Sequence, residues 1–148
     1  MTNRRLMWVL GLAGLLPFVV ASSGLWLFDG LLQALSQRTF ILYSLAILCF
    51  LAGTLWGETL PGSGQVTGQG AAILISNGIV VFAVLAMLTA QPLISTVLLM
   101  LGHLAQLWYE RSKPGREAWY TQLRTVLTGV ATLSHLLFAA GLMAGLSY

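Results

Sequence analysis

Phe40–Glu58 reads FILYSLAILCFLAGTLWGE: eighteen uncharged residues and then an acid. At about 1.5 Å per residue, a helix of that length covers the ~30 Å hydrocarbon core of a bilayer. The chain around it has the same character. It holds 148 residues, 57% of them hydrophobic and 7% charged, where soluble domains carry roughly 25% charged residues. A soluble domain of this size leaves much of its surface exposed and has no room to hide so much apolar area. The chain therefore reads as all-α and membrane-embedded. The net charge of +3 and a pI near 9.5 come from seven cations scattered along the chain. They form no basic stripe, which argues against nucleic acid as a partner.

Outward from this stretch, four more spans follow. Leu6–Ala21 comes after Arg4 and Arg5 and ends in Ala21, Ser22 and Ser23, the layout of a secretory signal. Apolar character resumes at Leu25–Phe28, so we expect a retained first helix over about 6–22. Pro17, which lacks a backbone donor, should kink it, and Gly11, Ala13 and Gly14 give it a small-residue face. Leu25–Leu35 is too short to cross, and Trp26 and Phe28 suit it to the interface. The second helix is expected over 39–58. Pro61–Gly70 (PGSGQVTGQG) lacks the Gly-Lys-Ser/Thr of a phosphate loop and reads as a flexible connector. A third helix is expected over 71–90, and Gln91–Pro92 makes a turn into a fourth over 92–109. Glu110–Glu117 (ERSKPGRE) is the one dense charged run and reads as a solvated loop. Trp108, Tyr109, Trp119 and Tyr120 flank it as headgroup anchors. The fifth helix is expected over 120–146. Together these make one transmembrane domain, 1–148, with five spans.

Charge sets the orientation. Arg4, Arg5, Arg111, Lys113, Arg116 and Arg124 fall on one side of a five-span chain, and Arg38 alone on the other. Positive charge gathers on the cytoplasmic side, so the N-terminus is expected on the cytoplasmic or matrix side, with Glu58, the glycine-rich connector and the 110–120 loop.

Polar residues within or beside the spans are the candidates for function, because an ionisable group near hydrocarbon is costly unless paired or wet. Glu58 and Arg124 both fall at the inner edge and are expected to lie close together. Asn77, His103 and Thr128 sit at similar depths on three helices. Glu58, Asn77, His103 and Arg124 are thus the expected polar cluster. It serves either as structural glue, at about 0.6 kcal/mol per interhelical bond, or as a ligand or proton site. His135, counted from the start of the fifth helix, falls some 10 Å or more beyond the His103 level. Ligation of a haem by both histidines is therefore not expected. Cys49 is a lone thiol in an apolar run and reads as a small packing residue. No HExxH, CxxC or paired-carboxylate spacing is present, so no catalytic, metal or cofactor residues are assigned and no enzyme is expected. Gly53–Gly57 and Gly141–Gly145 are GxxxG pairs that allow close helix contact, within the chain or with a partner.

LGLAGLLPF (Leu10–Phe18), YSLAILCFLAGTLWG (Tyr43–Gly57) and AWYTQLRTVLT (Ala118–Thr128) together resemble the transmembrane-protein-69-like family. Its members are small multi-spanning proteins of bacterial inner membranes and mitochondria. The resemblance marks Trp56, Gly57, Trp119, Tyr120 and Arg124 as family-motif positions. It implies a multi-pass location in a bacterial inner membrane, but no reaction. The stretch from Glu58 to Gly70 is longer than the family's usual connector, which leaves a role for Glu58 outside the resemblance. The leading expectation is an accessory or assembly subunit of a membrane complex, in contact with lipid and with a larger complex or a second copy. The alternative is a small carrier or channel for protons, ions or a lipid-like ligand.

Overall fold

A computed structural model describes residues 3–60, 69–113 and 115–146. The connector at 61–68 lies outside the described residues. Among the described residues there is no strand. Six helical segments follow one another: α1 (Asn3–Ala13), α2 (Leu16–Leu27), α3 (Gly30–Gly57), α4 (Gln69–Leu88), α5 (Pro92–Ser112) and α6 (Ala118–Met143). With α1 and α2 counted as one interrupted crossing, five stretches are long and apolar enough to span a membrane. The protein thus has the build of a multi-pass membrane protein.

The break between α1 and α2 falls at Gly14–Leu15. Pro17 cannot donate to the carbonyl four residues earlier, so the ladder loosens there. In lipid such freed groups need partners from neighbouring helices. The Tyr43 hydroxyl of α3 supplies one, donating to the Gly14 carbonyl at 2.7 Å.

No separate interfacial segment lies between the first two spans, which corrects the reading of Leu25–Leu35. α2 runs to Leu27, and α3 starts at Gly30, whose positive φ of +57° turns the chain within two residues. Gln33 donates back to the Leu25 carbonyl at the end of α2. The first turns of α3 therefore absorb what looked like a surface helix. At 28 residues α3 is the longest element, roughly 42 Å against a core of about 30 Å.

Hydrocarbon gives helices no hydrophobic reason to associate, so close packing must hold them. The fold uses glycine for this at several crossings, Gly11 against Leu127 of α6 and Gly24 against Ser36 of α3 among them. A Cβ on Gly102 of α5 would sit 2.6 Å from Leu48 Cδ2 of α3. A Cβ on Gly141 of α6 would sit 2.8 Å from Leu25 Cδ2 and 3.0 Å from Trp26 Nε1 of α2. That approach lets Trp26 Nε1 donate to the Leu137 carbonyl at 3.1 Å. Gly53 and Gly57 meet nothing within 4 Å, and neither does Gly145. Of the two GxxxG pairs, only Gly141 is spent on packing within the chain.

The centre is aromatic. Phe40 stacks on Phe138 with centroids 4.1 Å apart, and Phe18 meets Phe40 edge-on. All three are fully buried. The polar site lies directly against this cluster.

Candidate functional site

Two helices carry the polar groups. On α5, Thr96, Leu99, His103, Gln106 and Glu110 are buried at spacings of three and four, one face of a helix. On α6, Arg124, Thr128, Ala131, His135 and Phe138 form the matching stripe. A helix in lipid hides its polar face against its neighbours, and α5 and α6 hide theirs against each other and α3.

Glu110 and Arg124 fix the register of this antiparallel pair. Arg124 Nε donates to Glu110 Oε2 at 2.7 Å and Nη2 to Oε1 at 3.2 Å. Gln106 Nε2 donates to Glu110 Oε1 at 3.0 Å and to the Leu51 carbonyl of α3 at 2.6 Å. Glu110 and Arg124 are 3% and 5% exposed, so the pair is buried between the helices. This corrects two expectations. Glu110 belongs to α5 and its buried face, and not to a solvated loop. Arg124 pairs with Glu110 and not with Glu58. Glu58 takes its cations from the loop between α5 and α6, Lys113 at 3.0 Å and Arg116 at 2.5 Å. The guanidinium of Arg124 already has a carboxylate aligned with it on the neighbouring helix.

His103 and His135 also come together, against the depth count. Their ring centroids are 5.5 Å apart. Ser44 Oγ of α3 lies between them, 3.2 Å from His103 Nε2 and 2.8 Å from His135 Nε2. Two turns inward from the Glu110–Arg124 pair, the register sets His103 opposite Ala131, one turn from His135. Side chains lean toward the N-terminus of their own helix. In an antiparallel pair that leans the two rings toward each other, and His135 Nδ1 reaches the Ala131 carbonyl at 2.7 Å.

For neutral rings the hydrogen-bond directions are forced. A carbonyl only accepts, so His135 carries its proton on Nδ1 and its Nε2 is an acceptor. Ser44 must then donate to His135 Nε2 and can only accept from His103. His103 therefore carries its proton on Nε2, and its Nδ1 keeps a lone pair.

Asn77 does not join this group. It is exposed and donates to the Ile73 carbonyl of its own helix. Its neighbour Ser76 faces inward instead, donating to the Ala52 carbonyl of α3. Trp56 and Gly57 also face outward. Trp119 lies at the loop edge, where its indole donates to the Glu117 carboxylate and stands under Arg4, 5.4 Å away. Tyr120 stands under Arg116 at 5.3 Å.

A cavity of about 400 Å³ lies between the α1–α2 break, α3 and α6. Leu10, Leu15, Phe18, Ile47 and Leu127 make it mainly apolar, while Tyr120, Arg124, Thr128 and His103 line it on the α5–α6 side. On α6 it runs from Tyr120 to Ala131, about 16 Å or half a bilayer. Toward the loop it meets a second hollow of about 540 Å³ at Glu58, Arg116 and Trp119. Both share Met7, Thr54 and Tyr120. Among the described residues no group of three or more His, Cys, Asp or Glu could hold a metal ion.

Ser44, Gln106, Glu110 and His135 are the site residues that sequence reasoning missed. Their signal was the stripe spacing, with polar residues recurring at helical intervals on two otherwise apolar segments.

Taken together these features define a small helical multi-pass protein with a dry polar seam and an intramembrane cavity beside it. Residues 3–140 match the family described as protein of unknown function (DUF3429), and the chain belongs to that family. No curated protein and no solved structure matches the chain.

Proposed function

We propose that the protein binds a lipid-like amphiphile within the bilayer. The observation that carries this reading is the half-membrane cavity, apolar over most of its wall and polar along one side. Its volume lies within the range of about 300–1,000 Å³ typical of small-molecule sites. The joined hollow at Glu58 and Arg116 offers a charged exit for a headgroup. A buried Arg124 already held by Glu110 supplies fixed donors without the cost of a free charge. The resemblance to the transmembrane-protein-69-like family, and an inner-membrane location with the N-terminus in the cytoplasm, are part of the same reading. The positive-inside count then sets the charged hollow at the cytoplasmic leaflet.

The test is mass spectrometry of the protein released from native membranes in mild detergent. The wild type should retain a defined apolar molecule that Thr128→Phe, which fills the cavity, loses. Identical bound lipid in both proteins would sink the reading.

A second reading, an accessory subunit of a membrane complex, is favoured by one observation. Gly53 and Gly57 present a small-residue face with nothing against it. A stoichiometric companion should then co-purify and be released by Gly53→Leu. Purification of a lone monomer would end that reading.

A further inference from the structure

We infer that the cavity selects ligands carrying a hydroxyl group, with His103 Nδ1 as the acceptor. The inference rests on the amphiphile-binding reading and names the chemistry that reading leaves open. Its basis is the chain of bonds from Ala131 outward. The Ala131 carbonyl holds the proton on His135 Nδ1. Ser44 must therefore give its only proton to His135 Nε2, and His103 must give its own to Ser44. Each step removes a choice from the next, so the tautomer of His103 is set from Ala131, a turn away on the facing helix.

His103 bonds to Ser44 through Nε2, and Nδ1 has no donor among the described residues. The residue is 3% exposed and lines the cavity. Facing a largely apolar wall, a lone pair without a donor is an unmet cost. A ligand O–H would meet it, and an ether or plain hydrocarbon of the same shape would not. Phe18, edge-on to His103 with centroids 6.0 Å apart, walls the same spot with an aromatic ring, which suits a phenolic hydroxyl. A water molecule offers the same donor chemistry, and the experiment must separate the two.

The probes are para-octylphenol and its methyl ether, added to the full-length protein in lipid nanodiscs with isotope-labelled histidine and leucine. Without probe, NMR should show His103 protonated on Nε2 and His135 on Nδ1. Both probes should shift the Leu127 methyls, since both fit an apolar cavity. Only the phenol should shift the His103 Nδ1 resonance, and it should bind roughly fivefold tighter, the value of one net hydrogen bond. Ser44→Ala frees His103 to change tautomer and should shrink that ratio toward one.

Two failures are separable. If neither probe moves the Leu127 methyls, the amphiphile reading itself falls. If both move them with equal affinity and Nδ1 is unmoved, the hydroxyl assignment falls, leaving water as the donor, and the amphiphile reading stands. A proton found on His103 Nδ1 before any probe is added would overturn the inference directly.

Discussion

Glu110 and Glu58 are both acids beside arginine, and burial separates them. Glu110 is closed off with Arg124, so Glu110→Gln leaves a guanidinium with no counter-charge in a dry place. Removing one partner of a buried pair costs about 3–5 kcal/mol. Glu58 keeps 27% of its side chain exposed, so water reaches the carboxylate itself. Glu58→Gln should cost about 1 kcal/mol or less. Thermal unfolding in detergent compares the two, and equal losses would contradict the burial argument. Replacing Glu110 and Arg124 together by leucine should restore most of the stability, since an apolar pair of similar volume removes the stranded charge. Tyr43→Phe is a milder test. It leaves the Gly14 carbonyl at the helix break without its donor, at about 1–3 kcal/mol by the same measurement. Sequence reading found Arg124 and His103 because each is a charge or a ring in an apolar run. It misassigned Glu110 because Glu110 adjoins a charged loop in sequence, and sequence adjacency does not say which face of the last helical turn a residue occupies.

At the scale of elements, glycine has opposite roles at positions that look alike in sequence. Gly141 admits Trp26 and Leu25, so Gly141→Ala puts a methyl where α2 already is. It should break the Trp26–Leu137 bond and destabilise by about 1–3 kcal/mol, the usual cost of overpacking. Gly53 has open space, and Gly53→Ala should be neutral or gain up to about 1 kcal/mol of helix propensity. Indole hydrogen exchange at Trp26 is the direct readout. It should quicken in Gly141→Ala and stay unchanged in Gly53→Ala. Quickening in neither would show that Trp26 does not depend on that close approach. The spans themselves were legible because each is a long apolar run, and lipid admits few other backbones. The turn at Phe28–Asp29 was not, because its signal is one glycine in the left-handed region, amid residues that equally suit an interfacial helix. The meeting of His103 with His135 was hidden for a related reason. Depth counted from helix ends inherits every error in those ends, and it omits the lean of side chains toward their own N-termini.

For the molecule as a whole, an odd number of spans puts the Asp29 turn and the Ser112 end of α5 on opposite faces of the membrane. The positive-inside bias says which face is which. Ser112 sits among Arg111, Lys113 and Arg116 and should be cytoplasmic, whereas Asp29 has no cation within eight residues on either side. The bias also bears on the cavity. Its charged mouth at Glu58 and Arg116 lies on the Ser112 side, so an amphiphile would enter headgroup-down from the cytoplasmic leaflet. In a Cys49→Ala background, Asp29→Cys should react with a membrane-impermeant thiol reagent in intact spheroplasts, and Ser112→Cys only after lysis. Both positions are exposed, so failure to react reports the membrane barrier and not burial. If both react before lysis, the span count is wrong and one of α3, α4 and α5, the helices between the two positions, does not cross. The reverse pattern would keep the fold and invert it, moving the cavity mouth to the outer leaflet and exchanging the lipid pool from which its ligand is drawn.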